Sequence, residues 1–128
     1  MALQINRLGG KLAPNAVAQG DLRETAMKFA EFESLLDKNI PPPSLHLALQ
    51  ALWWDAKGDW NKAHECAQAD EGDPSCDWVH AYLHRKEGDA SNARYWYGQA
   101  GKPAATNALA EEWRAIVTAL IGTYRGGR

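Results

Sequence analysis

Two of the Gly-Asp pairs in the middle of this 128-residue chain lie 30 residues apart. Gly58-Asp59 and Gly88-Asp89 each separate two stretches of helix-forming residues, and the preceding Lys57 and Glu87 also align at this period. Glycine ends helices well and aspartate caps the next one, so each pair predicts a tight turn between two antiparallel helices. The chain is therefore predicted to contain two equivalent helical hairpins.

Helical periodicity and capping residues predict six helices along the chain. Their approximate bounds are 21–38, 44–57, 60–70, 74–87, 90–100 and 103–121. Asp21 and Glu24 form a capping-box pattern at the start of the first helix, and Pro41-Pro42-Pro43 separates it from the second. Pro103 is expected to open the last helix. No segment alternates apolar and polar residues between hairpin turns, so no strand is predicted.

These elements define an all-α fold. We expect one helical domain over residues 21–122, with hairpins at about 44–70 and 74–100. Residues 1–20 are expected to form a loose N-terminal arm and residues 123–128 a flexible tail. A domain of this size buries roughly two-thirds of its unfolded surface, which is enough for a core without disulfides.

The hairpins resemble the tetratricopeptide repeat, which places aromatic, leucine and small residues at set positions of its first helix and an alanine and an aromatic in its second. The residues that fit are Leu47, Ala51, Trp54 and Ala63 in the first hairpin and Ala81, Ala93 and Tyr97 in the second. The residues that depart are Gln50, Ala67, Asp77, His80 and His84, and the period is shorter than the family's. The resemblance covers residues 44–103. It implies a short α-α superhelix of stacked hairpins, capped by the N-terminal and C-terminal helices.

Composition excludes several classes of function. The net charge is −2, so there is no general basic field to hold a nucleic acid, and we expect no nucleic-acid partner. No window reaches the roughly 18 apolar residues that cross a membrane, and the N-terminus lacks the apolar run of a secretory signal. Cys66 and Cys76, the two cysteines, are interpreted as small apolar residues in a reducing compartment, so we expect a cytoplasmic protein.

The second hairpin concentrates aromatic and basic residues. Residues 77–102 carry four basic and three acidic residues, whereas residues 44–73 carry two basic and six acidic ones. Aromatics interleaved with arginine are typical of binding hot spots, although aromatics at helical spacing also fill cores. The candidate binding residues are Trp78, His80, Tyr82, His84, Arg85, Arg94 and Tyr95.

A metal site is the alternative interpretation of the same helix. Asp77, His80 and His84 are three and four residues apart, so they share one helix face. Two histidines four residues apart are a known metal-ligand spacing, and an aspartate is a possible third ligand. His46 and His64 are further possible ligands, but nothing in the spacing brings them to this face. The competing interpretation is that His80 and His84 are partly buried, hydrogen-bonded residues.

Asp55 and Arg85 occupy equivalent positions in the two hairpins. Asp55 faces an otherwise apolar sector of its helix, and a carboxylate buried there needs a partner. Arg85 is the nearest base in the repeat alignment, so the two are predicted to form a clamp between hairpins. The alternative is that Arg85 stays free to meet an acidic group of a ligand.

No catalytic motif and no cofactor-binding motif is found in the sequence. The leading hypothesis is therefore a small interaction module that binds a peptide segment or a protein partner, without catalysis. The alternative is a metal or small-ligand site, with or without an enzymatic role, around Asp77, His80 and His84. A second copy of the chain is a possible partner, because two hairpins make a short stack.

Overall fold

A computed structural model describes residues 27–124 of the chain, and over this range the fold is all-α, as predicted. It has no strand in this range. We number the six α-helices of this part of the chain α1 (Phe29–Ser34), α2 (Leu47–Ala56), α3 (Trp60–Gln68), α4 (Pro74–Lys86), α5 (Ala90–Ala100) and α6 (Leu109–Thr123). A short 3-10 helix, Leu35–Asp37, follows α1. No helix in the described range is both long and apolar enough to cross a membrane.

The turns at Gly58-Asp59 and Gly88-Asp89 have the same backbone hydrogen bonds. Gly58 N donates to Asp55 O at 2.9 Å, and Gly88 N donates to Arg85 O at 3.0 Å. Both glycines have positive φ, 88° and 91°, a conformation that side chains with a Cβ rarely adopt. The following Asp59 caps α3, and Asp89 caps α5. The predicted hairpins α2–α3 and α4–α5 are therefore present, each with the predicted turn.

Helix α2 lies at the centre of the core, as its apolar composition predicts. Ala48, Leu49, Ala51, Leu52 and Trp53 are all buried. The indole N–H of Trp53 donates to the carbonyl of Leu35, which ties the 3-10 helix to α2. Buried residues of α6, Ile116, Val117, Leu120 and Ile121, complete the same core cluster.

The terminal helices differ from the prediction of two caps at opposite ends. Helices α1 and α6 contact each other, and α6 also packs on α2 and α4. The Trp113 ring lies 6.0 Å from the ring of Phe29 and 6.1 Å from that of Phe32. Its indole N–H also donates to Leu52 O of α2. Burial of these aromatics draws both terminal helices to the same side of the hairpins.

Helix boundaries at the two ends also differ from the prediction. The described part of the first helix begins only at Phe29, and the predicted cap Asp21 lies outside the described residues. The last helix begins at Leu109 rather than at Pro103. Residues 102–108, between α5 and α6, are not helical, and the guanidinium of Arg85 donates to the carbonyl of Asn107 in this segment.

The predicted pair of Asp55 and Arg85 is wrong. Asp55 is buried and does have partners, but they are the Lys86 ammonium at 2.9 Å and the Tyr82 hydroxyl at 2.9 Å. Tyr82 and Lys86 are four residues apart and share a helix face, whereas Arg85 points about 100° away. Arg85 instead donates to the buried carboxylate of Glu112 on α6 at 2.7 Å.

We expect Arg85→Ala to destabilise the domain, because it leaves the buried Glu112 with the hydroxyl of Tyr97 as its remaining side-chain donor. The expected loss is about 3 kcal/mol of unfolding free energy, typical of breaking a buried ion pair from one side. Urea unfolding followed by circular dichroism measures it. The matched control is the exposed Arg94→Ala, for which we expect a change within about 0.5 kcal/mol. Equal losses in the two variants would contradict this assignment.

Candidate functional site

The seven predicted binding residues do not form one exposed surface. His80, Tyr82 and His84 are buried in the described domain. Trp78 and Arg85 are half-buried, and Arg94 and Tyr95 are exposed. Arg85 is occupied by Glu112 and Asn107. The structure therefore divides the set into an internal histidine cluster, an ion-pair network and the half-buried Trp78, and it leaves Arg94 and Tyr95 exposed.

Three histidines come together between the hairpins. His64 lies on α3, and His80 and His84 lie one turn apart on α4. One ring nitrogen of each lies within 4.8 Å of the others. The Nε2 atoms of His64 and His80 are 3.0 Å apart and share a hydrogen bond. We call these three residues the histidine cluster.

Two tryptophans flank the histidine cluster. The Trp60 ring stacks on His64 with centroids 4.9 Å apart, and the Trp96 ring stacks on His80 with centroids 4.1 Å apart. The indole N–H of Trp60 donates to the carbonyl of Leu83, so that ring is itself held in place. The imidazoles are therefore fixed in orientation as well as in position.

Asp77 is not part of this cluster, so the predicted set Asp77, His80 and His84 is wrong in one member. Its Oδ1 accepts from the backbone N–H of Gly72 at 3.2 Å, and the carboxylate is buried. His64, which the sequence offered only as a further candidate ligand, is the third member of the cluster. Its position beside His80 was not predictable, because the register of α3 against α4 depends on packing and not on spacing within one helix.

A hydrogen bond to the carboxylate of Glu87 orients His84. The side chain of Glu87 lies 2.7 Å from His84 Nδ1, and an ionised carboxylate only accepts, so Nδ1 carries the proton. His84 Nε2 is then the nitrogen with a free lone pair. His80 Nδ1 is buried and has no hydrogen-bond partner among the described residues.

Burial favours the uncharged form of two histidines of the cluster. Desolvation, with smaller contributions from His64 and His84, lowers the pKa of His80 to about 4. Desolvation also lowers the pKa of His64, followed by the effect of His84. Neutral imidazole is the form that binds a metal or accepts a hydrogen bond.

The fourth histidine lies elsewhere. His46 caps α2, because its Nδ1 accepts from Ala48 N at 3.0 Å. Its ring stacks on Tyr124 with centroids 3.9 Å apart, and its Nε2 lies 3.5 Å from an oxygen of Asp73. Cys76 is near this group, and burial raises the pKa of its thiol. These contacts support packing and capping, and neither Cys76 nor Cys66 is in a disulfide.

Trp78 lies between two clefts that residues 101–107 and α6 also line. One cleft, about 280 Å³, lies toward Leu120 and Thr123 of α6, and the other, about 400 Å³, lies toward residues 103–107. Both are lined by Trp78 and Lys102, and the ammonium of Lys102 lies 4.3 Å from the Trp78 ring centroid. We call this region the Trp78 surface.

Comparisons with known proteins give no family for the chain. No model of a protein family matches it, and neither a curated protein nor a solved structure matches it significantly. The resemblance to tetratricopeptide repeats, including the superhelical stacking, stays a prediction from the sequence.

Acidification is expected to destabilise the domain through His80. In the unfolded chain His80 binds a proton near pH 6.5, whereas in the fold it stays neutral down to about pH 4. The unfolded state therefore binds more protons in this window, and stability present above it is lost as the pH falls. Between pH 7 and pH 5 the expected loss is about 2 kcal/mol.

Urea unfolding at several pH values measures this loss. His80→Gln is expected to flatten the dependence between pH 7 and pH 5. A His80→Gln variant with an unchanged slope would contradict the assignment.

Proposed function

We propose that this protein is a small interaction module whose Trp78 surface binds a peptide segment of a partner protein, without catalysis. The segment carries an acidic side chain next to an apolar one. The observation that carries the proposal is the position of Trp78, a half-buried indole with a cleft on each side and the Lys102 ammonium above it.

The shape of the surface supports an extended segment. Two clefts on either side of one aromatic ring accept side chains that alternate along a peptide. Trp78 resembles the anchors of protein interfaces, which are enriched in tryptophan because its rigid ring gives a large contact area. Arg85 supports one wall of the surface, since it binds the carbonyl of Asn107 in the segment 102–108.

The charges of the surface support an acidic partner. Its ionised lining residues are Lys102 and Glu112. Glu112 is buried and is already neutralised by Arg85. Lys102 is exposed and forms no ion pair within 4 Å among residues 27–124, so the uncompensated charge is positive. We place this module in the cytoplasm, in keeping with its two free cysteines.

Selection from a random peptide library displayed on phage tests the proposal. We expect the enriched peptides to pair an acidic residue with a neighbouring apolar one. Their affinity, measured by fluorescence polarisation of a labelled synthetic peptide, is expected to fall roughly tenfold or more in Lys102→Glu, because the reversed charge repels the acidic side chain.

The matched control is Lys62→Glu. Lys62 is also exposed and also lies over a tryptophan, with its ammonium 4.5 Å from the Trp54 ring centroid, but it is far along the chain from the Trp78 surface. This variant is expected to bind the peptide like the unsubstituted protein. The proposal fails if no peptide is enriched, or if Lys102→Glu and Lys62→Glu weaken binding equally.

A further inference from the structure

We propose that the histidine cluster, His64, His80 and His84, binds one divalent transition-metal ion of the class of Zn²⁺, Co²⁺ and Cu²⁺. This site is separate from the Trp78 surface and does not depend on the function proposed for it. It replaces the predicted set that contained Asp77.

The spacing of the nitrogen atoms fits a common metal ligand set. Two nitrogens bound to one tetrahedral zinc ion, at about 2.0–2.1 Å each, lie about 3.3 Å apart. The Nε2 atoms of His64 and His80 are 3.0 Å apart, close to this value. A nitrogen of His84 lies within 4.8 Å of both, so small side-chain rotations bring the third donor to the ion.

Glu87 orients the third proposed donor, His84. Glu87 accepts the Nδ1 proton of His84, which leaves Nε2 as the nitrogen available to a metal. A carboxylate that holds the second nitrogen of a ligating histidine is a common feature of metal sites, where it fixes the ring orientation and raises the basicity of the ligand. The side chain of Glu87 is 39% exposed, and its contact with His84 is its main specific contact.

The histidine cluster is an unusual set of groups for a protein core. His80 is only 3% exposed, and its Nδ1 has no partner among the described residues. A metal bound to Nε2 of His80 would not change this. The observation that points to a metal site is the close approach of three imidazole nitrogens, two of them on rings stacked against Trp60 and Trp96.

The donor set determines the class of ion. All three donors are imidazole nitrogens, which favour zinc, copper, cobalt and nickel over the oxygen-seeking Mg²⁺ and Ca²⁺. Three protein donors leave a fourth position for water or an outside ligand. The ion would join α3 of the first hairpin to α4 of the second, because His64 is on the former helix and the other two donors are on the latter.

Isothermal titration of the full chain with ZnCl₂ at pH 7.5, after removal of any affinity tag, tests the site. We expect one ion per chain, with a Kd in the micromolar range or below. Zinc is also expected to raise Tm, because it binds the folded state. Co²⁺ gives a second measurement, since a four-coordinate nitrogen site produces strong visible absorption bands.

His64→Ala removes one donor from the less buried side of the cluster, and its zinc affinity is expected to fall roughly 100-fold or more. Glu87→Ala is expected to weaken zinc binding roughly tenfold, because it removes the carboxylate that orients His84. Circular dichroism and Tm without metal verify that both variants fold. If His64→Ala fails this check, His84→Gln replaces it, since it keeps a polar side chain of similar length.

The matched control is His46→Gln, which removes the one histidine outside the cluster. It is expected to bind zinc like the unsubstituted protein. The proposal is overturned if the unsubstituted chain binds no zinc, if the folded His64→Ala variant binds it equally well, or if His46→Gln abolishes binding. The last result would place the ion at His46, Asp73 and Cys76 instead.

Discussion

Two buried carboxylates determine how α4 sits in this protein. Asp55 on α2 accepts from Lys86, and Glu112 on α6 accepts from Arg85. Each carboxylate also accepts from a tyrosine hydroxyl, Tyr82 for the former and Tyr97 for the latter. A buried charge without its partner is strongly unfavourable, so these pairs penalise any rotation or slide of α4 relative to its neighbours. The consecutive cations at the end of α4 thus connect the second hairpin to both α2 and α6.

With α4 held in this way, its different sides contact different parts of the protein. Tyr82 and Lys86 share the face toward α2. Trp78, four residues before Tyr82 and seven before Arg85, lies on the adjoining sector of α4, next to the segment 102–108. His80 and His84 lie about 160–200° away from Tyr82, on the face toward α3 and α5. The histidine cluster and the Trp78 surface are therefore on different sides of α4.

Local features of the fold were predictable from the sequence, whereas contacts between helices were not. The Gly-Asp turns, their capping aspartates and the apolar helix α2 depend on neighbours within a few residues, and all appear where expected. The position of Asp55 on its helix predicted its burial. Its partner depends on how α4 is rotated about its axis, and the sequence does not determine whether Arg85 or the adjacent Lys86 faces Asp55. The position of His64 beside His80 was not predictable for the same reason. Helix α6 starts at Leu109, two residues after Asn107, whose carbonyl accepts from Arg85, 22 positions earlier in the sequence, so its surroundings are also long-range.

The same ion pairs anchor one of the two helices that carry the donors of the proposed metal site. Helix α4 carries two of the three donors and is held by Lys86 and Arg85, so displacing it would disturb two buried carboxylates at once. Helix α3 carries the remaining donor, and the indole N–H of Trp60 ties it to the carbonyl of Leu83 on α4. The backbone positions of the three histidines are therefore set by contacts outside the histidine cluster, and the third nitrogen reaches an ion by rotation of the His84 side chain.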